Sequence, residues 1–117
     1  MRIGLCIRGF HRILGTLRDA LPNDEVFECD ASDVVAAAHH ADVLIPVTTL
    51  IPAAAFAGSR LKLVQQYGVG LDCVDISAAT TAGVWVANVP SVGTGNAESV
   101  AEQIGRASCR ERVLVQV

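Results

Sequence analysis

The sequence predicts an α/β fold in which five parallel strands are covered by helices on both faces. Three observations support it: short apolar runs alternate with segments of helical periodicity, the runs are apolar almost throughout, and turn residues separate them. The five apolar runs are residues 2–7, 25–30, 42–47, 61–67 and 84–89. Strands that alternate with helices imply right-handed crossovers, and we expect a doubly wound sheet of order 2-1-3-4-5.

The helices of the first half are predicted from apolar spacing and from turn residues. The first helix carries an apolar stripe with the spacing i, i+3, i+4, i+7 and i+11, formed by Phe10, Ile13, Leu14, Leu17 and Leu21. Pro22 ends this helix, because the residue before a proline avoids helical geometry. Ser32 is expected to cap a second helix that runs through Ala41. Pro52 is expected in the first turn of a short alanine-rich helix that ends at Gly58.

The helices of the second half are predicted mainly from their caps. Asp75 is expected to cap a helix that runs to about Thr81, and Gly83 can take the left-handed position after it. Asp72 lies three residues before Asp75, and capping explains this pair better than catalysis by two carboxylates. Asn96 is expected to cap one more helix.

Composition excludes several classes of protein. The chain has 117 residues, 51% of them hydrophobic and 18% charged, which excludes intrinsic disorder and allows one domain. A net charge of −3 gives no attraction to nucleic acid or to an anionic membrane, and no apolar run is long enough to span one. The sequence starts without a secretory signal, so we expect a cytoplasmic protein. The four cysteines form no metal-binding spacing, and Cys6 and Cys29 are expected to be buried in strands.

Ligands of doubly wound sheets bind beyond the carboxyl ends of the strands. The candidate loops are therefore residues 8–11, 48–52, 68–72 and 90–96. In the third of these, Gly68 and Gly70 flank Val69, and exposed amides there could bind a carboxylate. The local pattern by itself favours the alternative, in which the glycines only make a tight turn from strand to helix. The fourth loop is either an anion site at a helix start or a connector capped by Asn96. Neither loop has the spacing of a dinucleotide or nucleoside triphosphate motif.

Other polar residues have ordinary explanations. His39 and His40 are adjacent near a helix end, where they suit the helix dipole and make a poor metal pair. His11 follows the first strand, and a structural or solvated role is favoured for it. Arg8 and Arg60 could attract an anionic substrate or could be surface charges.

Residues 61–102 carry a specific resemblance to a known family. The segment LKLVQQYGVGLDCVDISAATTAGVWVANVPSVGTGNAESVAE closely resembles the N-terminal part of the substrate-binding domain of the D-isomer-specific 2-hydroxyacid dehydrogenases, and residues 1–60 match only in general pattern. The resemblance implies a flavodoxin-like substrate domain, incomplete in this chain, and a separate Rossmann domain that binds NAD or NADP. It implies an oxidoreductase that passes hydride between the nicotinamide and C2 of a small 2-hydroxy or 2-oxo acid.

The same resemblance implies roles for individual residues. The backbone amides of Gly68, Val69 and Gly70 would bind the substrate carboxylate, Tyr67 would border the cleft, and Asn96 would begin the helix that crosses to the cofactor domain. The family's cofactor fingerprint, substrate-binding arginine and acid–base histidine and glutamate lie beyond this segment. The resemblance therefore assigns no catalytic, cofactor-binding or metal-binding residue to this chain, and it implies a homodimer for the full-length relative.

The last residues differ from the family pattern. Residues 104–113, IGRASCRERV, resemble the translation of a sequencing adapter. We therefore expect a native part at residues 1–103, a non-native tail at residues 104–117, and no NAD binding or turnover by the chain alone. The alternatives are a genuine charged extension, a stand-alone flavodoxin-like module that binds a carboxylate without catalysis, and a non-functional translation product.

Overall fold

A five-stranded parallel sheet forms the centre of the structure. The computed structural model describes residues 1–67 and 71–88. The strands are β1 (Arg2–Leu5), β2 (Glu25–Glu28), β3 (Val43–Ile45), β4 (Leu63–Gln65) and β5 (Trp85–Ala87). Neighbouring strands all pair in parallel, in the order β2-β1-β3-β4-β5. The predicted strand number, direction and order are confirmed, although each strand is shorter than its apolar run.

Three helices connect these strands. They are α1 (His11–Ala20), α2 (Val34–Ala38) and α3 (Ile76–Ala82). The predicted caps of α3 are confirmed: the Asp75 carboxylate accepts a hydrogen bond from the Ala78 amide at 3.0 Å, and Gly83 has a φ of +76°. Across residues 1–67 and 71–88, no helix combines the length and the apolar character needed to cross a bilayer.

Two of the predicted helices differ from the structure. Ser32 lies inside a 3-10 turn (Ala31–Asp33) and caps nothing, and α2 ends at Ala38 instead of continuing to Ala41. The chain leaves α2 in a tight turn because Ala41 is fully buried just before β3. The second difference is at Pro52, which precedes a 3-10 turn (Ala53–Ala55) instead of entering an α-helix. Gly58 follows with a φ of +64°, as expected of a terminating glycine.

The two faces of the sheet bury separate apolar clusters. On one face, α1 packs Ile13, Leu14 and Leu17 against Ile3, Leu5 and their neighbours on β3 and β4. On the other face, α2 and α3 pack against Cys6, Leu44, Val64 and Val86. Phe10 was predicted to begin the apolar stripe of the first helix, but it lies just before α1 and is 43% exposed. A sheet covered on both faces explains why the strands are apolar throughout.

Gly4 lies in β1 at a point where two side chains converge on the backbone. A Cβ atom there would lie 2.9 Å from Leu44 Cδ2 and 3.0 Å from Phe27 Cζ. Both distances are shorter than an ordinary carbon–carbon contact of about 3.5–4.0 Å. The absence of a side chain at Gly4 therefore lets β2 and β3 pack their side chains over β1.

Asp42 joins three strands at the amino edge of the sheet. Its carboxylate accepts a hydrogen bond from the Arg2 amide at 2.9 Å, and its own amide donates to the Arg2 carbonyl at 2.8 Å. Its carbonyl accepts from the amides of Lys62 and Leu63, at 2.9 and 3.2 Å. Burial acts to raise the pKa of Asp42, but the Arg2 amide and the charges of Arg60 and Lys62 together hold the pKa below its usual range.

Candidate functional site

The crevice of this sheet lies where the strand order reverses, between the carboxyl ends of β1 and β3. Chain connections leave β1 and β3 in opposite directions there, so the two loops separate and leave space for a ligand. The Thr49 hydroxyl donates a hydrogen bond to the Cys6 carbonyl and so joins the loop after β3 to the end of β1. Leu50, the next residue, is 71% exposed at this edge.

The loop after β3 contains an unusual backbone conformation. Val47 has a φ of +57°, which is rare for a β-branched residue and costs about 1–3 kcal/mol. The turn is closed by the Thr49 amide, which donates to the Pro46 carbonyl at 2.9 Å. A strained residue is retained where surrounding contacts fix it, and such residues cluster at functional sites. The position of Val47 beside the crevice therefore supports the carboxyl edge as the candidate site.

Tyr67 is the one predicted substrate-binding residue that the structure describes. It follows β4 at the carboxyl edge, is half-buried, and packs against the apolar cluster under α1. Its amide donates to Gln66 Oε1 at 2.8 Å. The other four predicted residues, Gly68, Val69, Gly70 and Asn96, lie outside the described residues.

Gln66 is a buried polar residue that the sequence reasoning did not single out. It is 4% exposed, its Nε2 donates to Cys73 Sγ at 3.2 Å, and its amide donates to the Ala87 carbonyl at 2.8 Å. Its side chain thus holds both Tyr67, before residues 68–70, and Cys73, after them. Two adjacent glutamines at the end of an apolar strand were the available signal, because a polar side chain is rarely buried without partners.

The loop after β1 presents charge beside the crevice. Arg8 Nε donates to Asp30 Oδ1 at 2.7 Å, and both side chains are about half exposed, at 55% and 52%. Such an exposed pair contributes at most about 1 kcal/mol and can exchange partners readily. His11 is the exposed first residue of α1. Arg8 therefore lies at the carboxyl edge, paired with an aspartate on the side of β2.

The remaining candidates lie away from the crevice. Arg60 is at the opposite edge of the sheet, where its Nη2 is 3.4 Å from Asp42 Oδ1. His39 directly follows α2, and its Nδ1 is 2.9 Å from the Val35 carbonyl. His40 offers its carbonyl to Arg2. In the part of the chain that the structure describes, no group of three or more histidine, cysteine, aspartate or glutamate side chains could hold a metal ion.

The carboxyl edge therefore combines backbone turns with a guanidinium at the end of β1, at the place where the topology of the sheet favours ligand binding. Comparisons with known proteins identify relatives of this chain. A relative, the D-3-phosphoglycerate dehydrogenase of Mycobacterium leprae, is 43% identical over 75 residues, which are 62% of this chain and 14% of that protein. A glyoxylate reductase of Thermococcus onnurineus is 39% identical over 57 residues, or 49% of this chain and 17% of that protein.

A solved structure has the same fold over most of the chain. The NAD⁺-bound 3-phosphoglycerate dehydrogenase of Entamoeba histolytica superposes with a TM-score of 0.69 at 24% identity, covering 75% of this chain and 32% of that one. The chain spans about one seventh of the length of the curated phosphoglycerate dehydrogenases that it matches. Residues 13–104 match the family described as D-isomer specific 2-hydroxyacid dehydrogenase, catalytic domain. The chain therefore belongs to the D-isomer specific 2-hydroxyacid dehydrogenase family.

Proposed function

We propose that this chain forms the carboxylate-binding part of an NAD- or NADP-dependent oxidoreductase that acts on the CH–OH group of a D-2-hydroxy acid. The observation that carries the proposal is the placement of Tyr67 and Gln66. They bring the chain to the carboxyl edge of β4 immediately before Gly68, Val69 and Gly70, the residues expected to donate amides to the substrate. Family membership supports the same role for this edge.

This chain would bind and orient the acid and leave the hydride transfer to a separate cofactor domain. The Gln66 side chain holds the Tyr67 amide before residues 68–70 and the Cys73 thiol after them, which would help to direct the amides before the substrate arrives. Asn96, which lies outside the described residues, would begin the helix that leads to the cofactor domain.

The loop from β1 to α1 has the position of a nucleotide-binding turn in the fold, but its residues do not fit the cofactor. The loop from β1 to α1 contains a single glycine, Gly9, beside the side chains of Arg8 and Phe10. A dinucleotide pyrophosphate needs three glycines in such a turn for close approach to the backbone. We therefore propose that NAD or NADP is bound by another domain, and that this chain alone has no dehydrogenase turnover.

We also propose that residues 1–103 are the native part and that residues 104–117 are foreign. The support is the resemblance of residues 104–113 to translated adapter sequence. Genomic DNA from the source would test it: the proposal requires that the reading frame after residue 103 differ from the printed sequence and continue into a glycine-rich nucleotide motif. An identical reading frame in the genome would contradict it, and would favour the alternative of a stand-alone module that binds a carboxylate without catalysis.

Titration with a small 2-oxo acid tests the binding role directly. We expect pyruvate, added to the ¹⁵N-labelled chain, to shift the amide resonances of residues 67–72 in a saturable way. Acetone, which lacks the carboxylate, is the matched control and should not shift them. Val69→Pro removes one amide donor and should weaken binding, whereas Tyr67→Phe keeps every amide. Saturable shifts confined to other loops, or equal shifts with acetone, would contradict the proposal.

A further inference from the structure

Cys6 and Cys29 are placed side by side by the register of the sheet. Leu5 of β1 pairs with Glu28 of β2, and each cysteine is the next residue along its strand. The Cys29 amide donates to the Leu5 carbonyl at 2.9 Å, so the parallel pairing continues to the two cysteines. Both side chains pack into the same apolar cluster, beside Val34 of α2. The thiols therefore lie on one face of two adjacent strands.

The two thiols influence each other. Each is the largest influence on the pKa of the other, raising the pKa of Cys6 and lowering the pKa of Cys29. Burial acts to raise both, and Arg8 lowers the pKa of Cys29 while Asp33 and Asp30 oppose it. Cys29 is consequently the sulfur that more readily becomes a thiolate, which is the reactive form of cysteine.

We propose that Cys6 and Cys29 are a redox modification site that closes to an intramolecular disulfide when the protein meets a hydroperoxide. Adjacent parallel strands are about 4.8 Å apart, within the roughly 4.4–6.8 Å between Cα atoms that a disulfide spans. The spacing of the two strands is therefore compatible with a disulfide at this pair. Cys29 is 4% exposed at the end of an edge strand and Cys6 is fully buried, so the peroxide reaches Cys29 first.

The chemistry balances with one molecule of hydroperoxide. The Cys29 thiolate attacks one peroxide oxygen, the O–O bond breaks, and Cys29 becomes a sulfenic acid while hydroxide or alkoxide leaves and takes up a proton. The Cys6 sulfur then attacks the Cys29 sulfur, the S–O bond breaks, and water leaves with the proton that Cys6 gives up. The two thiols lose two electrons and the peroxide gains them. A dithiol such as dithiothreitol reverses the change by exchange.

The disulfide would act on the carboxyl edge through the Cys6 backbone. The Cys6 carbonyl accepts the Thr49 hydroxyl and the Cys6 amide donates to the Ile45 carbonyl at 2.9 Å. These bonds join the pair to both sides of the crevice. The inference does not depend on the proposed carboxylate binding, because the disulfide can be measured without any ligand.

Peptide mapping of the full chain tests the proposal. The folded protein is treated with hydrogen peroxide, the remaining thiols are alkylated, and the unreduced tryptic peptides are identified by mass. Cleavage at arginine and lysine places Cys6, Cys29 and Cys73 in separate peptides, spanning residues 3–8, 19–60 and 63–106. We expect the link between the first two to exceed every other cysteine pair by about tenfold, because neighbouring thiols have a high effective concentration.

Two comparisons make the result decisive. Cys29→Ser should abolish the link between Cys6 and Cys29. Cys73→Ser is the control and should leave the link unchanged, because Cys73 is half-buried elsewhere, with its Sγ 4.0 Å from the Val47 carbonyl. The unmodified chain in urea, where the register is lost, should give a mixture of pairs, so the test does not depend on whether a variant folds. A predominant link to Cys73 in the folded chain, or alkylation of Cys6 and Cys29 undiminished after peroxide, would overturn the proposal.

Discussion

Substitution of Gly4 by alanine should destabilise the fold by overpacking. The new Cβ would meet Leu44 Cδ2 at 2.9 Å and Phe27 Cζ at 3.0 Å, from opposite neighbouring strands. Leu44 is fully buried, and the Phe27 ring is covered by the Arg2 guanidinium at 5.1 Å, so neither can move away freely. Overpacking of this kind costs about 1–3 kcal/mol.

A loss of about 2 kcal/mol lowers the ratio of folded to unfolded protein about thirtyfold. For a chain of 117 residues the unfolding entropy makes this a fall in Tm of about 8 °C. Thermal unfolding followed by circular dichroism measures it, with urea unfolding as a second estimate of the free energy of unfolding.

Gly15→Ala is the matched control for this substitution. Gly15 lies in the exposed interior of α1, and a Cβ there meets nothing within 4 Å. Alanine should stabilise the protein by about 0.5–1 kcal/mol, because glycine is a poor helix former. If Gly4→Ala unfolds at the same temperature as the parent chain while Gly15→Ala unfolds higher, the close packing over β1 is not a constraint and the reasoning is refuted.

Two further predictions concern carboxylates. The pKa of Asp42 is lower in the folded state than in the unfolded chain. Its contribution to stability is therefore complete above about pH 4 and is lost as the pH falls through the folded-state pKa. In urea titrations at several pH values, Asp42→Asn should reduce the acid dependence of the free energy of unfolding, whereas Asp19→Asn, at an exposed residue, should leave it unchanged. Asp75→Ala removes the carboxylate that accepts a hydrogen bond from the Ala78 amide, and it should lower the free energy of unfolding by about 1 kcal/mol. Asp72→Ala is the control and should leave the free energy of unfolding unchanged. Equal losses for the two variants would contradict the capping role of Asp75.

The strand order was predictable because a sheet buried on both faces requires strands that are apolar throughout, and this pattern is visible in the sequence. The apolar runs around Leu5, Leu44 and Val64 required a sheet covered on both sides, and crossover handedness then left few topologies. The cap at Asp75 was also predictable, because its carboxylate bonds an amide only three residues further along the chain, and such a contact depends on local geometry alone. By contrast, the prediction at Ser32 was wrong because a preference for capping does not specify which residue begins the helix.

The candidate site was less predictable than the fold. Its position at the carboxyl edge followed from topology, but the strained Val47 and the contacts of Gln66 depend on how separate segments meet in space. Cys6 and Cys29 are 23 residues apart in the sequence, and this spacing does not predict that they are neighbours. Their pairing became evident only from the register of β1 and β2. The predicted roles of Gly68, Val69, Gly70 and Asn96 stay predictions.

The contacts of Asp42 have a consequence for how the sheet assembles. One residue bonds the starting ends of β1 and β4 to that of β3, through its amide, carbonyl and carboxylate. A slip of one residue in any of these strands would turn its side chains to the wrong face and would break the bonds to Asp42 at the same time. Asp42 thus disfavours folding intermediates in which β1, β3 or β4 is out of register.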